Sequence, residues 1–267
     1  MPIKTEFEPR HISEEGFREL DFQIMGLAFD IQNEMGRFWS EEIYRNELAY
    51  RCRKGHLDKV DIEEPIKVSF KDFTKTYFID LLINNSIIYE LKAVNALVGE
   101  HKNQALNYLF LAGLNHGKLL NMRSHLVQSE FISTRISFDR RFDFTVGDSA
   151  WKNLDDDCAW LKNLIVDLLS EWGAYLDIQL YYETICHFRG GEEIVVQKIR
   201  VASDERRIGG QKMHVLNNNV AFKISAILKD QHKYEEQLHK FLRFTPFKAI
   251  QWINFSRDHV AFKTVSL

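Results

Sequence analysis

The sequence predicts an α/β protein made of two copies of one unit, each running helix, helix, three strands, helix, then one or two strands. Two internal matches and one shared periodicity predict it. MGRFWSEEIYRNEL (35–48) meets WGAYLDIQLYYETI (172–185) at an offset of 137, so that Gly36 falls on Gly173 and Tyr44 on Tyr181. HKNQALNYL (101–109) meets YEEQLHKFL (234–242), and KLLNM (118–122) meets QWINF (251–255), at an offset of 133. Gln104, Leu109 and Asn121 then fall on Gln237, Leu242 and Asn254, and the change of offset marks a small loop deletion. The periodicity is the stripe Ile24, Leu27, Ala28, Ile31 and Met35, answered by Leu161, Leu164, Ile165, Leu168 and Trp172. These spacings are those of an amphipathic helix.

The expected domains are 1–135 and 136–267. In the first copy helices are expected near 17–35, 40–54 and 99–113. Strands are expected near 60–70, 76–83, 87–94, 117–122 and 126–134. A chain of 267 residues suits two domains of this size. With 45% hydrophobic and 27% charged residues the composition is that of a soluble globular protein. The N-terminus is charged and has no apolar core of a signal peptide. No apolar run is long enough for a membrane span. Three cysteines, Cys52, Cys158 and Cys186, are too few and too irregular for a metal site and read as reduced structural thiols. A cytoplasmic protein is expected.

The net charge is −3. Residues 1–133 hold 16 Lys+Arg against 20 Asp+Glu, and the remainder 19 against 18. Neither part is the strongly basic domain of a dedicated nucleic-acid binder. A nuclease can still gather its basic groups on one face.

Chemistry concentrates in YFIDLLI-NNS-IIYELKAV. Side chains alternate along a strand, so Ile88, Glu90 and Lys92 share one face, while Ile87, Tyr89, Leu91 and Ala93 share the other. If Asn84, Asn85 and Ser86 form a three-residue loop, Ile83 pairs with Ile87 and Asp80 sits across from Glu90. A two-residue loop would pair Asp80 with Tyr89 and turn it away. With the longer loop, two carboxylates and an ammonium converge in an apolar sheet, where charges persist only when paired or metal-bound. Two hard oxygen donors suit Mg²⁺. Lys92 could orient an attacking water or neutralise charge developing on a phosphate.

Glu41 shares a helical stripe with Tyr44 and Leu48, which points it inward as a third acid, while Glu42 faces water. Gln104 and Tyr108, at i and i+4, share a face and could reach Lys92 or a substrate phosphate. The competing reading is a structural salt bridge between Lys92 and Asp80 or Glu90. The second copy bears on this choice. There Glu41 becomes Ile178, Asp80 becomes Met213, Glu90 becomes Lys223 and Lys92 becomes Ser225. The charged set is lost as a group while the apolar frame stays. Three acids against one Lys92 should strain the metal-free site, so Asp80→Asn is expected to be at least as stable as the parent.

The series Gly36…Glu41-Glu42-Ile43-Tyr44, Ile79-Asp80-Leu81-Leu82, Glu90-Leu91-Lys92-Ala93-Val94, His101-Lys102-Asn103-Gln104 through Tyr108, and Leu119-Leu120-Asn121 resembles the GxxExxY proteins of the PD-(D/E)XK nuclease superfamily. The resemblance covers about residues 17–124. Phe38 stands where that family usually has a glycine. The resemblance implies a restriction-endonuclease-like α-β-β-β-α-β unit, a mixed sheet flanked by helices, and the internal repeat makes the expected fold two such units in tandem. It implies Asp80, Glu90 and Lys92 as the catalytic set with Glu41, and Mg²⁺ or Mn²⁺ on Asp80, Glu90 and Glu41. It implies a nucleic-acid substrate, most simply DNA, with Gln104 and Tyr108 resembling a Q-x3-Y element. His101, on the same helix, could touch substrate, but a surface histidine is the stronger reading. The second copy reads as a degenerate member, and the two copies are expected to pack as an intramolecular pseudo-dimer. A non-catalytic nucleic-acid-binding or interaction protein that kept the fold is the alternative.

Other motifs carry less. The ten histidines show no zinc spacing. Arg51, Arg53, Lys54 and His56 suit a helix C-terminus. Gly190-Gly191 and Gly209-Gly210 read as hairpin turns.

Overall fold

The computed structural model describes residues 2–55, 57, 59–134, 138–203 and 206–267; His56 lies outside them. The chain divides into two compact units, Met1–Arg140 and Arg141–Leu267. Among the described residues no helix is long and apolar enough to cross a membrane.

The first unit opens with a short strand β1 (Ile3–Thr5), not foreseen from the sequence, and helix α1 (Glu14–Met35). Ser13 caps α1 by accepting the Gly16 N–H at 3.1 Å, and Glu14 and Glu15 sit in the first turn, where the helix dipole favours acids. Phe17, Ile24, Ala28 and Ile31 form its buried stripe. The helix ends at Gly36, whose φ of 78° is open to glycine at little cost. Helix α2 (Glu41–Lys54) buries Tyr44, Leu48 and Cys52 against α1 and the sheet. Each such fully buried apolar side chain contributes about 1.5–3 kcal/mol.

Strands β2 (Val60–Phe70), β3 (Phe73–Ile83) and β4 (Ile87–Lys92) follow, then helix α3 (Gly99–Ala112) and strands β5 (His116–Asn121) and β6 (Gln128–Ser133). The sheet order is β1-β2-β3-β4-β5-β6. Only β4 and β5 run parallel, joined through α3; the other pairs are antiparallel. The sheet is thus mixed, as expected. Ile83 pairs with Ile87, so the three-residue loop is the one formed, with Asn84 and Asn85 both at positive φ.

Two side chains fix the frame around β4. The Tyr44 hydroxyl donates to the Gly36 carbonyl at 2.7 Å, tying the α1–α2 loop to α2. Asn121 accepts the Val94 N–H at 3.1 Å and donates to the Val94 carbonyl at 2.8 Å, holding the chain just past Lys92.

The second unit contains β7 (Thr145–Ala150), α4 (Asp156–Trp172), α5 (Ile178–Phe188), a short α6 (Glu192–Val195), β8 (Val196–Ser203), β9 (Arg206–His214), β10 (Val220–Ser225), α7 (Gln231–Leu242), β11 (Ala249–Ser256) and β12 (His259–Ser266). Tyr181 donates to the Gly173 carbonyl at 2.9 Å, and Gly173 has a φ of 74°. Asn254 accepts from the Ile227 N–H at 2.8 Å and donates to its carbonyl at 3.0 Å. β10 and β11 run parallel from Val220↔Ala249, and β11 and β12 antiparallel from Ala249↔Ser266. Its sheets depart from the single expected one. β8 and β9 pair alone, meeting β10 through one bridge at Val215↔Ala221, while β7 adds to the edge of β12.

The glycine pairs are not hairpin turns. Gly190-Gly191 joins α5 to α6, and Gly209-Gly210 lies inside β9 beside a bulge at Ile208, which the ladder skips between Val201↔Gly209 and Ala202↔Arg207. The hairpin reading failed because it ignored the partner strand. In the first unit's basic cluster, Arg51 pairs with Glu34 and Glu47, and Arg53 donates to the Val60 carbonyl. All three cysteines are unbridged and buried, and burial pushes the Cys52 thiol up to about 12.

Candidate active site

Asp80, Glu90 and Lys92 are each buried, with 8%, 2% and 8% of their surfaces exposed. The sheet positions them through an interruption. The β3–β4 ladder runs Ile83↔Ile87, Leu82↔Ile88, Leu81↔Tyr89 and stops there. The β2–β3 ladder passes from Ile62↔Leu81 to Glu64↔Ile79, skipping Glu63 and Asp80, and Glu63 has a φ of 52°. Asp80 therefore lies where both ladders break. Its own carboxylate takes up the slack, for Oδ2 accepts the Leu91 N–H at 2.9 Å.

The other Asp80 oxygen, Oδ1, accepts from Arg45 at 3.3 Å, and Arg45 also binds Glu63 at 2.8 Å. Lys92 Nζ donates to Glu90 Oε1 at 2.7 Å and stands 3.6 Å from Glu41 Oε1. Glu90 Oε2 is buried with no hydrogen-bond partner. Burial first, and the Asp80 charge second, push the Glu90 carboxyl up to about 8 against the pull of Lys92. Burial likewise raises Glu41. At Lys92 burial opposes the charge, but Glu90, Glu41 and Asp80 together outweigh it and raise the ammonium.

The four acids and bases expected from the sequence thus meet. Glu41 is the most open, its side chain 37% exposed. Gln104 donates to the Tyr108 hydroxyl at 3.2 Å rather than to Lys92. Tyr108 is raised by burial and then by Glu90, so it borders the same charges. His101 serves its own helix, its Nδ1 accepting the Val98 N–H at 3.1 Å in the first turn of α3. Arg45 and Glu63 were missed. Arg45 lies four residues after Glu41 on one helix, a spacing that places the two on one face. Attention to Tyr44 and Leu48 hid it.

Among the described residues no three His, Cys, Asp or Glu side chains gather closely enough to hold a metal ion. Lys92 stands between Glu90 and Glu41, and Arg45 holds Asp80. The donor chemistry nonetheless suits a hard divalent cation: carboxylate oxygens, one of them buried and orphaned at Glu90. The second unit holds a cavity of about 280 Å³ walled by Met213, His214, Phe222, Lys223, Leu238 and Phe241 among others, with no acid among its described lining residues. Ser225 there donates to Asn254 at 2.7 Å and accepts the Trp252 indole N–H at 2.8 Å.

A six-stranded mixed sheet flanked by helices, with an Asp on one strand and Glu-x-Lys on the next, has the fold of a PD-(D/E)XK nuclease. Residues 18–134 match the family model of the PD-(D/E)XK nuclease superfamily. No curated protein and no solved structure matches the chain.

Proposed function

We propose that the first unit hydrolyses phosphodiester bonds in nucleic acid, most simply DNA, with Mg²⁺ or Mn²⁺. The observation that carries this is the convergence of Asp80 and Glu90 beside Lys92, with Glu90 Oε2 buried and unanswered. A purely structural ion pair has no use for that oxygen, since an unsatisfied buried carboxylate atom costs stability. Asp80 and Glu90 would hold the cation, with Glu41 as a further oxygen donor. A cation held there supplies charge for a phosphate oxygen and lowers the pKa of a bound water. Lys92 donates N–H groups toward the attacking water and the phosphate, and Arg45 orients Asp80 through its bond to Oδ1. Tyr108, fixed by Gln104, offers its hydroxyl at the border of the charges.

The second unit reads as a degenerate copy in the same proposal. The shared Tyr–Gly tether, the shared Asn clamp and the matching β4–β5 and β10–β11 registers support that reading. Its acid-free cavity leaves it a structural or substrate-binding role.

Plasmid nicking with Mg²⁺ or Mn²⁺ tests the activity. The parent should nick and Lys92→Ala should not, by a factor of at least about 100, as for loss of a group that stabilises transition-state charge. Equal rates in both proteins would sink the assignment. A metal-independent binder that never cleaves would favour the non-catalytic reading.

A further inference from the structure

We infer that Phe38 is a stacking platform for an unpaired base, so that the site takes single-stranded nucleic acid or an unpaired end. This rests on the reading just given and deepens it. Phe38 is 83% exposed, on the loop that enters α2 three residues before Glu41. Three residues span at most about 11 Å, which keeps the Phe38 backbone within that reach of Glu41.

Exposure of a lone aromatic means little by itself. The loop here, however, is held rigid at both ends. Tyr44 donates to the Gly36 carbonyl at 2.7 Å and accepts the Trp39 N–H at 3.4 Å, and the Trp39 indole N–H donates to the Met35 carbonyl at 2.8 Å. A fixed loop thus presents a ring to solvent on the segment that leads into Glu41. The Arg37 guanidinium lies 5.7 Å from the ring centroid, within cation–π range. It covers one face, leaves the other open, and sets a positive charge where a phosphate of the same strand would pass. An exposed aromatic joined to a cation is how sequence-tolerant single-strand binders hold bases. The corresponding loop of the second unit does the opposite: Ala174 and Leu176 are buried and Tyr175 is half-buried.

Fluorescence anisotropy of the full chain, in EDTA to prevent cleavage, tests this with a labelled single-stranded oligothymidylate, the same strand in duplex form, and an abasic strand of equal length. Base stacking is worth about 1–3 kcal/mol per base, so Phe38→Ala should weaken single-strand binding about 5- to 140-fold. It should leave the abasic strand's affinity unchanged. Phe38→Trp should retain binding, while Phe38→Leu, apolar but without a π-face, should not. Unchanged single-strand affinity in Phe38→Ala, or full rescue by leucine, overturns the platform and leaves the nuclease reading standing. No binding of any strand by the parent overturns both.

Discussion

Glu90 is the acid that strains the metal-free fold, and Glu90→Gln should relieve it. Its carboxyl stands at about 8 in the folded protein against an ordinary 4.5. The folded state therefore holds a proton that the unfolded chain has lost between these two values. Stability conferred by that proton is fully present below about 4.5, declines as pH rises, and is gone above about 8. At 1.36 kcal/mol per tenfold the ceiling is roughly 4–5 kcal/mol. Relaxation and water entry reduce such penalties in real proteins, so a difference of about 2–3 kcal/mol is expected. Glutamine keeps an oxygen for Lys92 Nζ, now 2.7 Å away, and removes the charge that faces Asp80. Urea unfolding in EDTA, followed by circular dichroism at pH 5, 7 and 8.5, reads the result. The two proteins should be close at pH 5 and separate progressively, the glutamine form being the more stable at pH 8.5. Mg²⁺ or Mn²⁺ should raise the melting temperature of the parent more than that of the variant. Parallel pH profiles, or a glutamine form less stable at pH 8.5, would refute the argument.

Asp80 should behave in the opposite way. The count of three acids against Lys92 left out Arg45, which binds Oδ1 while Leu91 binds Oδ2. An amide must turn an N–H toward one of these donors, so Asp80→Asn should lower metal-free stability by about 1–3 kcal/mol, measured by the same unfolding assay. DNA affinity of the full chain should fall as salt rises from about 50 to 200 mM, since phosphate contacts release counterions; a flat titration would count against a nucleic-acid partner.

The convergence of Asp80 with Glu90 was legible because one loop length decides which face each side chain takes, and Asn84-Asn85-Ser86 is a credible three-residue turn. Strand period two and helix period 3.6 did the rest. Arg45 escaped because a cation beside Tyr44 on a helix reads as solvated surface; its burial depends on the gap at Glu63 and Asp80, which no local pattern announces. The Gln104–Tyr108 pair was found as a shared helix face, but which partner Gln104 takes is decided by distances across the sheet. In the second unit the free-standing β8–β9 hairpin was not visible either. Whether a hairpin joins its neighbour depends on the full ladder, and here, among the described residues, the backbone link is an isolated bridge at Val215↔Ala221.

The Leu91 amide occupies an unusual post. Its proton is held by a carboxylate of the site and not by a neighbouring strand. One bond thus belongs at once to the scaffold and to the reacting groups, and any event that redirects Asp80 Oδ2 must be felt in the backbone of β4. That makes the amide a natural reporter: its nitrogen–proton resonance would register the arrival of an ion or a phosphate without any label being attached. It also means that the sheet could be zipped shut at this point only by silencing Asp80, so a seam left open in the backbone is what keeps that side chain available.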